Sequence, residues 1–248
     1  MNDRPEHLAG GVPASAADFL LQRRERVVRR HVPLEGRVLL DFGCGNGAQT
    51  GRFVDDFDLV VGADVNPGFL ADFSRTFGSR GAHALRYDGH GLPLADASVD
   101  RVISFEVLEH VEDERRALEE IHRVLRPGGH LAMSVPNRWW IFETHGADLP
   151  LLPWNRVPLF SWLPTALHDR WARARIYRRR QIVAKLRAVG FAIEHSSYVT
   201  APMDVVPWAP LRRALRATVF APDETAVPFL ATAVFVHAVK QDGPPVST

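Results

Sequence analysis

The sequence predicts an α/β fold, a doubly wound and mostly parallel sheet, and three observations predict it. Short apolar-rich runs and helical stretches alternate from residue 15 to residue 135. Several strand–helix units in succession require a parallel sheet covered on both faces, with right-handed connections. The first run ends in a glycine-rich turn, Gly43-Cys44-Gly45-Asn46-Gly47, and sheets of this kind bind ligands beyond the carboxyl ends of their strands.

The elements follow in order. Residues 1–14, with Gly10, Gly11 and two prolines, read as a flexible lead-in. Residues 15–31 read as a helix with Phe19, Leu20, Val27 and Val28 on its apolar face. RVLLDF (37–42) is the first strand, 49–55 a helix, and DLVVGAD (58–64) the second strand. Pro67 opens a helix that runs to about Phe77, before Gly78. AHALRYD (82–88) and SVDRVISF (98–105) are the next strands. A helix over 113–125 places Leu118, Ile121, Val124 and Leu125 inward, and Pro127-Gly128-Gly129 stops it ahead of the strand HLAMSV (130–135). Residues 137–176 break the pattern: they hold five of the six tryptophans and four prolines. Regularity returns with a helix over 178–188, a strand over 191–199, a short basic helix over 211–217 and a last strand over 227–239. Residues 241–248 read as a tail. The expected organisation is one domain over 15–240 with an aromatic, proline-rich insert at 137–176.

Composition narrows the function classes. Thirty Lys and Arg stand against 29 Asp and Glu, a formal charge of +1, so global charge offers no grip on nucleic acid. A single cysteine excludes an internal disulfide and a cysteine-rich zinc site. No apolar run reaches the length of a membrane span and the first residues lack a signal-peptide pattern, so a cytoplasmic setting is expected.

Glycines at alternate positions in the first turn let the backbone approach a ligand closely, and the amides at the following helix start suit a polar group. Gly43-x-Gly45-x-x-Ala48, with Asp64 about 20 residues on, also meets the dinucleotide fingerprint. A nicotinamide-dependent oxidoreductase therefore competes, although Asp41 would repel a pyrophosphate and suits a cationic ligand better. Asp41, Asp64 and Asp88 close three successive strands. Each alone is an acceptable cap or turn residue. Together they form one acidic line, which fits a nucleoside with a ribose, an adenine and a positively charged tail.

LLDFGCGNG (39–47), VVGADVN (60–66), YDGHGLPLADASVDRVIS (87–104), FEVLEHV (105–111) and LRPGGHLAMSVPN (125–137) together resemble the class I S-adenosylmethionine-dependent methyltransferases, within them the group that holds ubiquinone-type O-methyltransferases. The resemblance implies a seven-stranded sheet with an antiparallel last strand, and S-adenosylmethionine as cofactor. It places Asp41 and Gly43, Gly45 and Gly47 at the methionine end, Asp64 and Val65 at the ribose, Asp88 and Gly89 at the adenine, and Phe105 along the methionine pocket. A silent cofactor-binding domain of the same fold remains a further alternative.

The acceptor is expected to be a small quinone, sugar or lipid-like molecule, methylated on oxygen. Trp139, Trp140, Phe142 and His145 follow the fifth strand and are the expected acceptor contacts. The basic run from Arg170 to Arg187 offers a solvated face, a phosphate grip or, with the rest of 137–187, contact with an anionic membrane surface. His110 and Glu109 are the catalytic candidates. If a helix begins directly after the fourth strand, Glu106, Glu109 and His110 share a face, and with His145 they would hold a divalent, magnesium-like ion that activates a hydroxyl.

Overall fold

The computed structural model describes residues 18–87, 91–142, 147–149, 152–154 and 158–241. Asp88, Gly89 and His145 lie outside them. Among the described residues ten strands and six α-helices follow in chain order: α1 (Asp18–His31), β1 (Val38–Phe42), β2 (Leu59–Asp64), α2 (Pro67–Phe77), β3 (Ala82–Arg86), β4 (Val99–Phe105), α3 (Glu114–Val124), β5 (Leu125–Pro136), β6 (Ala147–Leu149), β7 (Leu152–Trp154), α4 (Thr165–Trp171), α5 (Arg179–Ala188), β8 (Phe191–Thr200), α6 (Ala209–Ala217), β9 (Glu224–Thr225) and β10 (Ala231–Lys240).

The main sheet runs β3-β2-β1-β4-β5-β10-β8-β9. β3, β2, β1, β4 and β5 are parallel, and β10 is antiparallel to both its neighbours. The expected seven strands are all present, and the two-residue β9 adds an eighth at the edge, paired to Tyr198 and Val199. Successive residues of each strand face opposite sides, so Leu39 and Leu40 enter different cores. Leu39, Val60, Ile103 and Phe235 pack with Val27 and Val28 of α1 and Phe73 and Phe77 of α2. Leu40, Val102, Leu131 and Val234 pack with Leu118 and Ile121 of α3 and Ile182 and Leu186 of α5.

Three expectations are corrected. The helix predicted over 49–55 is two single turns of 3-10 helix, Thr50–Arg52 and Val54–Asp56, because the segment tucks Thr50 and Val54 inward within a few residues of the glycine turn. Pro127-Gly128-Gly129 ends α3, as expected, but does so as a bulge inside β5: the pairing steps from Val99↔Leu125 to Arg101↔His130, and Gly128 takes φ +69°. The last strand starts at Ala231, since Pro228–Leu230 forms a 3-10 turn. No helix among the described residues is long and apolar enough to cross a membrane.

α1 is fastened to the far side of the sheet by a side chain that amphipathicity alone would place at the surface. The Arg23 side chain is fully buried, and its guanidinium donates to the carbonyls of Thr200, Ala201 and Phe220 at 2.9, 3.1 and 2.7 Å, beside Asp223. Replacing Arg23 by Met strands those carbonyls and should cost about 3–5 kcal/mol, read as a shifted midpoint in chemical denaturation.

Candidate functional site

The carboxyl edge of the sheet collects the turn after β1, the end of β2, the turn after β4 and the segment after β5. Gly43, Gly45 and Gly47 all take positive φ, at 80°, 53° and 87°. Two of these glycines are also sterically required. A Cβ on Gly43 would lie 2.3 Å from Val107 Cγ2, and one on Gly47 would lie 2.4 Å from Phe77 Cε2. The turn is thus pressed against both the segment after β4 and the helix after β2. The amides of Gly43 and Cys44 donate to the Ala63 carbonyl at 2.8 and 3.0 Å. The Gly45 amide donates to Asp64 Oδ2 at 2.9 Å, while Asp64 Oδ1 accepts from the Asn66 amide. Asp64 is partly exposed, and beside it Val65 is 41% exposed, an apolar side chain left open at the strand end.

Asp41 lies beneath this turn and does not face outward. It is buried, accepts from the Thr50 hydroxyl, and burial with the nearby Asp64 charge pushes its carboxyl up to about 7. Cys44 is a buried packing residue whose thiol burial pushes far above its ordinary range. Phe105 ends β4, and the Arg24 guanidinium sits 5.7 Å from its ring centroid. Arg24 also pairs with Glu106 at 3.0 Å. Nothing local in the sequence marks Arg24 as part of this edge; the packing of α1 brings it there.

The condition for a shared helical face, a helix directly after β4, is not met. Glu106 takes φ +57°, residues 108–110 make a turn, and α3 begins only at Glu114, capped by the Asp113 side chain on the Arg116 amide. Glu106 accepts from Ser134 Oγ at 2.9 Å and pairs with Arg24. Glu109 is buried, and its Oε1 stands 4.0 Å from His110 Nε2. The premise that placed Glu106, Glu109 and His110 on one helical face therefore fails, and they do not converge as a three-ligand set. Among the described residues the three side chains that do converge are His31, His195 and Glu224, away from this edge. There Glu224 accepts from His31 and His195 at 2.8 and 3.0 Å and from Arg30 at 3.1 Å, and the two imidazoles stack at 3.6 Å.

The segment after β5 is divided between core and surface. Asn137 bridges to Tyr177 and donates to the carbonyls of Pro228 and Ala231. Trp140 is buried in a third cluster with Ala201, Met203 and Phe220, with Phe142 packed against it. That burial assigns Trp140 a packing role, which sequence order alone could not separate from an acceptor contact. Trp139 is half-buried against Phe229, with Arg178 5.4 Å from its ring centroid. Much of the basic run 170–187 is engaged with the protein: Arg175 donates to Val111 and Glu112 carbonyls, Arg179 covers Tyr198, and Lys185 pairs with Glu114.

Residues 40–133 match the family described as "Methyltransferase domain". A probable S-adenosylmethionine-dependent methyltransferase of Mycolicibacterium smegmatis is 36% identical over 62% of this chain and 62% of its own length. A ubiquinone biosynthesis O-methyltransferase of Coxiella burnetii is 24% identical over 59% of this chain and 61% of its own length. The chain thus aligns with less than two thirds of either relative. The S-adenosylmethionine-dependent methyltransferase from Mesorhizobium loti superposes with a TM-score of 0.62 at 22% identity, covering 89% of this chain and 100% of that one.

Two outcomes test the site's physics. The Asp41 carboxyl titrates near 7 in the fold and near 3.8 when exposed, so between those values the folded state holds a proton that the unfolded state has lost. Stability should therefore fall by up to about 1.4 kcal/mol per pH unit as pH rises through that window and level off above it. Asp41→Asn should flatten that fall in urea titrations across the same range. Trp140→Ala should cost about 3–5 kcal/mol of stability, seen as a lower melting temperature. With its glycine turn, its acid-capped β2 and its antiparallel β10, the chain has the fold of the Mesorhizobium loti structure, and over residues 40–133 it is similar to the methyltransferase domain family and its S-adenosylmethionine-dependent members.

Proposed function

We propose that this protein transfers a methyl group from S-adenosylmethionine to an oxygen of a small acceptor held between the carboxyl edge of the sheet and the segment after β5. The observation that carries the reading is the bond from the Gly45 amide to Asp64, which sets a partly exposed carboxylate directly over a turn in which every second residue is glycine. The residues present fit the cofactor: the three glycines of the turn take positive φ and hold its backbone close under Asp64, and exposed Val65 offers an apolar shelf beside the acid. When bound, the cofactor supplies a methyl group already activated by its sulfonium charge.

The chain's own part is binding and orientation, which supply most of the rate in an in-line transfer. Asp64 accepts from the two ribose hydroxyls, and Phe105 walls the methionine end. Asp88 and Gly89 serve the adenine in this reading. His110, whose ring is 14% exposed beside Glu109, takes the acceptor's proton, and the neighbouring carboxylate favours the imidazolium that results. Trp139 and Phe142 line the acceptor side. The Coxiella O-methyltransferase supports oxygen as the methylated atom.

Calorimetric titration with S-adenosylhomocysteine tests the cofactor assignment. Asp64→Ala should lose ~1.5–3 kcal/mol, roughly tenfold to 150-fold in affinity; affinity within twofold of the native chain removes Asp64 from the site, and saturable NADH binding in place of S-adenosylhomocysteine overturns the reading. With labelled methyl donor and a small-molecule extract, His110→Ala should lose turnover about 100-fold while binding cofactor normally. Chelation should leave turnover unchanged; rescue of a chelated enzyme by one divalent ion would reinstate a metal role for Glu109 and His110.

A further inference from the structure

The apolar side chains left at the surface are not scattered. Among the described residues, every strongly exposed large hydrophobic except Val65 comes from residues 159–229. Two groups dominate. Trp162 and Phe229 meet edge to face at 5.8 Å, and Trp139 closes on the other side of Phe229 at 5.5 Å. α6, with its flanks, contributes Trp208, Leu211 and Val219, of which Trp208 is 64% and Val219 56% exposed. Leu215 of α6 and Leu230, next to Phe229, both pack on the third cluster, so the two groups hang from one support.

α6 is oriented opposite to an ordinary surface helix. Its arginines turn toward the protein: Arg212 donates to the Val206 carbonyl at 2.9 Å, and Arg216 donates to the Pro202 carbonyl at 2.7 Å and to Asp204. Its outward side presents Leu211, Ala214 and Ala217, with only Arg213 as an exposed charge, and the helix buries none of its residues. In water such a helix exposes its apolar side and spends its cations on backbone carbonyls. The arrangement is favourable where the medium outside is apolar and edged with negative charge, as Trp and aliphatic side chains enter the acyl boundary and exposed Arg213 meets headgroups.

We infer that α6 and the Trp162–Phe229 pair form a docking face for the surface of an anionic phospholipid bilayer. A bilayer is favoured over a protein partner by the sign of the charge: the one charge α6 exposes is Arg213, the helix carries no acid, and Arg178 stands over Trp139 at the rim of the aromatic group. A two-signal contact of this kind, a shallow apolar wedge with a few cations, gives reversible peripheral binding and not insertion. In the basic run 170–187, the sequence's more conspicuous candidate, Arg175, Arg179 and Lys185 are bonded to the protein; α6 keeps its apolar side free.

Co-sedimentation of the full chain with vesicles tests this. Binding is expected to vesicles of equal phosphatidylcholine and phosphatidylglycerol, and it should be weaker on pure phosphatidylcholine. Trp208→Ser with Leu211→Ser should weaken binding at least about tenfold, while S-adenosylhomocysteine affinity, measured on the same variant, stays unchanged and certifies the fold. Quenching of native tryptophan emission by bromine-labelled lipid, reduced in Trp208→Phe, provides a second readout. No partition into anionic vesicles overturns the inference, as does binding indifferent to both variants. Self-association of the native chain that the double variant abolishes would assign the face to a second copy and overturn it too. Cofactor titration tests the methyl-transfer reading separately, so either conclusion can fail without the other.

Discussion

The close approach of the turn after β1 to its two neighbours is the constraint on which the rest of the site depends. Gly43 is pressed on Val107 and Gly47 on Phe77, at distances where a Cβ has no room, and both have positive φ. The turn can therefore lie flat between the ends of β2 and β4. That position lets the Gly45 amide reach Asp64, which in turn fixes Asp64 over the turn. Parallel pairing of β1 with β2 and β4 sets the register, Phe42 opposite Ala63 and Asp41 opposite Ile103. Steric fit then converts that register into a shared rim of backbone and carboxylate.

Asp41 illustrates how the same constraint redistributes charge. Held under the turn and bonded to Thr50, it is cut off from solvent, so ionising it is harder than ionising an exposed carboxyl. The exposed acid of the pair is Asp64. Two carboxylates that a sequence places on one line thus have different work. One supports the turn from below, and the other faces a ligand from above.

The acceptor side depends on α1. Its Arg23 caps carbonyls at the end of β8 and before β9, and its Arg24 reaches Glu106 after β4. One helix turn therefore ties the cofactor half of the edge to the half built by β8, β10 and the third cluster. Buried guanidinium groups are tolerated there because carbonyls and carboxylates meet most of their donors. Trp140, Met203 and Phe220 fill the space these bonds enclose. The apolar residues that do not fit inside, Trp162, Trp208 and Phe229 among them, are left facing out.

The alternation of β1 to β5 with their helices, the glycine turn and the acid closing β2 were legible in the sequence, because each rests on local preferences: residue period, φ at glycine, and the chemistry of a strand end. The last strand's antiparallel place was legible by resemblance. Other features have no local signal. No helix starts directly after β4: Glu106 takes a left-handed conformation beside Ser134 and Arg24, partners 28 and 82 positions away. Trp139 and Trp140 are adjacent in the chain, and only packing sends one into the third cluster and leaves the other against Phe229. The amphipathic pattern of α6 shows two faces but not which one turns inward; the carbonyls of Pro202 and Val206 decide that by bonding its arginines. Sequence determined the order of the seven long strands and the helices α1, α2, α3 and α5, since those are settled by neighbours in the chain. Tertiary structure decided which side chains face a ligand, because burial and charge pairing depend on neighbours in space.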